Sequence, residues 1–185
     1  TGLIRGGSNG VHLIGGPSLV VNAGQIIGLG GRGVIGGDTN LVSNSGSISG
    51  TVDGVNLGAN STVTNSGPTG QIIGGTNGVV LGANGKVFNG SVITGTVGDG
   101  VQLAGTGLVV NGNGDDDYLI IDPNVTVKAT LNGGCGDDTL AGSMVGDKFI
   151  GGDGVDTADY SFRTDNLRLS LNGAADDGAF GEGDN

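Results

Sequence analysis

The chain has no tryptophan, one cysteine, one methionine and three prolines in 185 residues, and its aromatic set is completed by two tyrosines and four phenylalanines. A single cysteine, Cys135, cannot close an internal disulfide. It stands at a free position of a glycine-rich repeat, as a variable surface residue does. So few rings leave no stacking platform for sugars. The seven Lys and Arg residues are scattered, and without a basic patch to neutralise phosphates nucleic acid is excluded as a partner. No apolar run reaches the length needed to span a membrane as a helix. A nucleophile motif, a phosphate loop and a His/Cys metal cluster are all missing.

What the chain has is glycine, 44 residues of it, beside an apolar content of 35% that is mostly Val, Ile and Leu. The glycines follow no three-residue period, so a collagen helix is excluded. The β-branched content is too high for a disordered glycine linker. The combination predicts many short strands separated by glycine turns. Charge is unevenly placed. Residues 1–110 hold three acids and three bases, whereas residues 111–185 hold fifteen acids and four bases and carry the whole net charge of −11. A block this acidic repels itself unless cations neutralise it, which points to metal.

Residues 1–112 repeat at regular spacing. A β-type triplet ends in Asn at Asn22, Asn44, Asn65, Asn89 and Asn111, at intervals of 22, 21, 24 and 22. A Gly-Val pair keeps pace at Val11, Val34, Val55, Val79 and Val101, and an Ile strand recurs around Ile26, Ile48, Ile72 and Ile93. Three short strands in about 22 residues close one coil, and a coil that cannot bury its own apolar face must stack on its neighbours. The expectation is an all-β parallel β-helix, right-handed by the rule for parallel crossovers. Two valine columns fill it, Val11 to Val101 and Val20, Val42, Val63, Val87 and Val109. The five asparagines stack at one corner as an amide ladder at the ~4.8 Å strand spacing.

Residues 133–160 change the period. They read GGCGDDTLA, GSMVGDKFI and GGDGVDTADY, with Asp138, Asp147 and Asp156 at the sixth position of three nine-residue units and Leu140, Phe149 and Ala158 two residues later. Glycines allow tight turns with φ > 0 and inward carbonyls. The aspartate adds a hard anionic oxygen, and the residue two further on alternates into the core. Stacked turns of this kind suit Ca²⁺, which takes six to eight oxygens in flexible geometry.

The pattern resembles the calcium-binding nonapeptide repeat of secreted RTX proteins, G-G-x-G-x-D-x-U-x, which forms a parallel β-roll. The first unit matches at every defined position. The second has Ser143 and Val145 in place of two glycines, and the third has the small Ala158 at the apolar position. An earlier outlier, NGNGDDDYL from Asn111 to Leu119, places Asp116 sixth and Tyr118 eighth. The resemblance implies calcium ligands at Asp116, Asp138, Asp147 and Asp156 and at the backbone of Gly114, Gly134, Gly136, Gly152 and Gly154.

Asp116 to Asp138 is 22 residues and Asp138 to Asp156 is 18, so these three should share one edge in successive coils, with Asp147 on the opposite edge and Asp165 as its partner in the next coil. The β-helix of residues 1–112 is thus expected to run without a linker into a calcium-binding β-roll over 113–160. Pro123 marks a turn inside the coil between Asp116 and Asp138. A strand through Leu167, Leu169 and Leu171 then caps or extends the roll, and the acidic glycine-rich end completes a terminal segment over 161–185. His12 reads as an ordinary strand residue. Asp53 and Asp99 share one turn position, but no base recurs beside them. The expected function is a calcium-binding structural or adhesive solenoid, secreted or at the cell surface. It assembles through its ends or binds a glycan or surface ligand, has no catalytic centre of its own, and belongs to a longer mature protein. The alternative is the non-catalytic portion of a secreted lyase or epimerase.

Overall fold

The computed structural model describes residues 2–98, 100–111, 118–121, 123, 128–170, 174, 177–180 and 182–184, with no helix among them. Short alternating strands with polar corners stack into a parallel β-solenoid of about six turns. Three walls enclose residues 3–111. One carries the isoleucines (Leu3–Gly6, Gln25–Gly28, Ser47–Gly50, Gln71–Gly74, Val92–Gly95), and a second carries Val11–Leu13, Val34–Gly36, Val55–Leu57, Val79–Leu81 and Val101–Leu103. The third starts at Leu19–Asn22, Leu41–Asn44, Thr62–Asn65, Gly85–Asn89 and Gly107–Asn111, and continues through Ala129–Cys135 and Lys148–Asp153.

The register is the one that the sequence landmarks predict. Val11, Val34, Val55, Val79 and Val101 pair in succession, as do Val20, Val42, Val63, Val87 and Val109. From the second coil onward these columns, with Ile26, Ile48 and Ile72, are sealed from solvent. Each such side chain contributes about 1.5–3 kcal/mol of transfer free energy. The glycine before each valine is required by close approach. A Cβ on Gly33 or Gly54 would stand 2.6 Å from Cγ2 of Ile48 or Ile72, so any side chain at that corner would displace the isoleucine column.

The amide ladder forms. Nδ2 of Asn22 donates to Oδ1 of Asn44 at 2.8 Å, Asn44 to Asn65 at 2.7 Å and Asn65 to Asn89 at 2.8 Å. Asn111 pairs with Asn89 along the backbone, and its side chain lies outside the described residues. A second polar corner, before the Gly-Val pairs, was not expected as a unit. Asn9 Oδ1 accepts from the Arg32 amide at 2.9 Å, Arg32 Nε donates to Asp53 Oδ2 at 2.9 Å, and Asn77 Nδ2 donates to Asp53 Oδ1 at 3.1 Å. With Asn56 Nδ2 also on Oδ2 at 2.8 Å, Asp53 is a buried, satisfied corner residue. Asp99 lies outside the described residues. His12 is an exposed strand residue, as expected.

At the remaining corner Thr39, Asn60 and Asn84 all adopt positive φ, at 61°, 56° and 58°. Asparagine tolerates that region, whereas a β-branched residue pays for it. Thr39→Asn should therefore raise stability by about 1 kcal/mol, read as a higher urea midpoint at unchanged slope. A lower midpoint would count against strain at this corner.

Past Gly107–Asn111 the cross-section changes while the stack continues. Val109 pairs with Leu131, and Leu131 with Phe149. The opposing wall is now one sheet of Tyr118–Ile120, Thr139–Ala141 and Thr157–Ala158. Two walls per coil need fewer residues than three, which is why the spacing shortens. The register sets Leu119, one residue beyond Tyr118, opposite Leu140. The apolar position of that coil is therefore Leu119, which is buried, and the phase read from Asp116 to Asp138 is one residue too long. The strand expected through Leu171 does not extend the roll: Leu167–Arg168 pairs antiparallel with Gly178–Ala179, and Leu169 is exposed.

Candidate functional site

The first and third nonapeptides stack on each other in register. Gly134 pairs with Gly152 and Cys135 with Asp153, and beyond the turn Thr139 pairs with Thr157 and Leu140 with Ala158. Gly134, Gly136, Gly152 and Gly154 have φ of 117°, 111°, 121° and 137°, a region closed to ordinary side chains. Here sequence and geometry agree on why glycine stands second and fourth. The glycine in first place has a different cause, which the repeat does not announce: a side chain on Gly133 or Gly151 would run into the carboxylate of Asp138 or Asp156.

The aspartates bond across the stack in both directions. Asp156 Oδ1 accepts from the Asp138 amide of the preceding coil at 3.0 Å, and Asp137 Oδ1 accepts from the Val155 amide of the following one at 2.8 Å. The Gly136 amide donates to Asp153 O at 2.9 Å and the Thr157 amide to Asp138 O at 2.7 Å. Asp138 is buried, whereas Asp156 in the final coil is exposed. Ala158 is exposed too, because no described coil covers its position. Cys135 is exposed at the same turn, its sulfur 4.0 Å from Asp153 Oδ2.

Asp147 lies on the other edge, and its carboxylate is met by protein donors. Oδ1 accepts from the Ala129 amide at 2.7 Å, and Oδ2 accepts from the Ser143 amide at 2.6 Å and the Ser143 hydroxyl at 2.8 Å. Ser143, which breaks the glycine pattern, thus supplies two donors to the aspartate of its own unit. Asp165, expected to be the partner of Asp147, is exposed. The Asp147 amide donates to Asp184 Oδ1 at 2.7 Å, so the partner comes from the acidic tail. Burial is the main influence raising the Asp184 carboxyl above the usual carboxylate range, and the Asp147 carboxylate adds to it, while the Asp147 amide, Tyr160 and Arg163 act against it. Burial, chiefly, together with Asp184 holds the Tyr160 hydroxyl protonated beyond the ordinary tyrosine range.

Asp116 and Gly114 lie outside the described residues. Of the expected ligands, the fold brings together Asp138, Asp156, Gly134, Gly136, Gly152 and Gly154, and sets Asp147 apart. Among the described residues no three His, Cys, Asp or Glu side chains converge on one point. A hard cation at the stacked turns would draw most of its oxygens from glycine carbonyls, a donor set that suits Ca²⁺ better than a metal preferring nitrogen or sulfur. No described helix is long and apolar enough to cross a membrane. Neither protein-family models, nor curated proteins, nor solved structures give a match to this chain, so the class is that of the fold, a parallel β-solenoid.

Proposed function

We propose that the chain is a calcium-stabilised structural or adhesive β-solenoid that works outside the cell, where calcium is abundant. The reading is carried by the in-register stacking of the 133–138 turn on the 151–156 turn, with four positive-φ glycines and two aspartates on one edge. Electrostatics supports it: residues 133–160 hold six aspartates against Lys148 alone, a repulsion that a divalent cation relieves. Asp138 and Asp156, with carbonyls of the neighbouring glycines, are the residues that would hold the ion, while Asp147 serves the protein's own amides. The chain is a scaffold and not an enzyme in this reading. Asp53, one of the two acids that share a turn position, is engaged by Arg32, Asn56 and Asn77. Its partners are calcium, further solenoid coils at its ends, and a glycan or surface ligand.

Extracellular modules bind Ca²⁺ with Kd around 10⁻⁴–10⁻³ M. At about 2 mM calcium and a Kd near 0.1 mM, one site adds about 1.8 kcal/mol by mass action, and at sub-micromolar calcium close to nothing. Hydrogen exchange with calcium and with a chelator is the test. Chelation should speed exchange in residues 129–160 and leave residues 19–109 protected, and Asp138→Ala should abolish the difference. Exchange indifferent to chelation would overturn the proposal.

A further inference from the structure

On the Asp147 edge the tail makes a bond that the repeat would give to the next coil. In the roll, two sixth-position carboxylates accept the amide at the equivalent place one coil earlier: Asp147 from Ala129 and Asp156 from Asp138, each across 18 residues. The next acceptor in that series, for the Asp147 amide, would be a residue 18 further on. Asp165 occupies that place in the sequence, yet it is exposed, and Asp184 makes the bond from 37 residues away.

Further contacts fix this substitution. Arg163 and Glu182 form an ion pair with side chains 2% and 3% exposed, and Arg163 Nη2 also donates to Ser143 O at 2.7 Å. Gly146 is packed against the Glu182 and Gly183 carbonyls so closely that it cannot carry a side chain. The Asp177 and Asp184 backbones bond each other in both directions, and Asp177 also accepts from the Ser170 amide, so the loop that delivers Asp184 is closed on itself.

We propose that the described residues among 160–184 form a terminating cap, in which Asp184 takes the place of a next-coil aspartate on the Asp147 edge and so closes that edge to a further coil. On that edge the tail takes the Asp147 amide and covers Gly146, while Ala129 and Ser143 already occupy the Asp147 carboxylate, so a further coil would find no free partner there. This inference rests on the solenoid alone and stands whether or not calcium binds the other edge.

The experiment compares Asp184→Ala with Asp165→Ala in the full chain, reading amide exchange at Asp147 and sedimentation at rising concentration. Losing a hydrogen bond to a charged acceptor should speed Asp147 exchange by roughly tenfold to a hundredfold in Asp184→Ala, and the variant should associate through the opened edge. Asp165→Ala should match the parent in both. Equal effects of the two substitutions, or an Asp147 amide that stays protected in Asp184→Ala, would overturn the cap. So would loss of protection throughout residues 19–109, because the tail would then be part of the global fold. Arg163→Lys, which keeps the charge, gives a second reading: partial loss of Asp147 protection supports the cap, and none counts against it.

Discussion

Asn44→Ala should lower stability by about 3–5 kcal/mol, the largest single-residue effect expected in the neutral half. The side chain is fully buried. It accepts from Asn22 and donates to Asn65 Oδ1, to Gly46 O at 2.9 Å and to Gln71 O at 3.1 Å. Alanine removes the donor from two buried acceptors, Asn65 Oδ1 and Gly46 O, and from the part-buried Gln71 O, and each buried loss of this kind costs about 1–3 kcal/mol. Asn44→Asp should be no milder, since a carboxylate cannot donate to those oxygens and adds a buried charge. Asn22, at the end of the described ladder, donates to the equivalent three acceptors, Gly24 O, Asn44 Oδ1 and Ser47 O, but takes no rung from an earlier asparagine among the described residues, so Asn22→Ala should cost about 1 kcal/mol less than Asn44→Ala. Urea unfolding followed by a backbone signal checks the ranking. Equal losses at the two positions would mean that the rungs act independently.

Arg163→Met should release the tail from the roll at a cost of about 3–5 kcal/mol, because Glu182 would then be a buried charge without its partner. The loss should stay local. A solenoid coil touches its neighbours only, so protease cleavage should appear in residues 161–184 while residues 19–109 keep their protection. Arg163→Met with Glu182→Leu should recover much of the loss, since replacing both members of a buried pair by apolar groups is often close to neutral. A double variant as unstable as the single one would show that the Arg163 bond to Ser143 O, and not the ion pair, holds the segment.

The two halves were legible to different degrees for one physical reason. Spacing within a stack is set by strand pairing between successive coils, so residues that meet are residues that recur. The period of the asparagines places Asn22, Asn44 and Asn65 in contact, and the Gly-Val period places the valine columns, before any coordinate is known. The polar corner of Asn9, Arg32, Asp53 and Asn77 recurs in position but not in residue type. Its one signal was the residue immediately before each Gly-Val pair, and amide, guanidinium and carboxylate do not read as one family until their hydrogen bonds are seen.

Sequence by itself determined the parallel solenoid, the columns that fill it, the asparagine ladder and the edge on which Asp138 and Asp156 stack. All of these follow from periods of about 22 and then 18 residues. Only the tertiary structure decided that the cross-section narrows from three walls to two, that Leu119 takes the core position next to Tyr118, and that Ser143 satisfies Asp147. It alone chose Asp184 over Asp165. That choice depends on where a non-repeating tail folds back, and a contact made across 37 residues by the burial of Arg163 against Glu182 leaves no period to read.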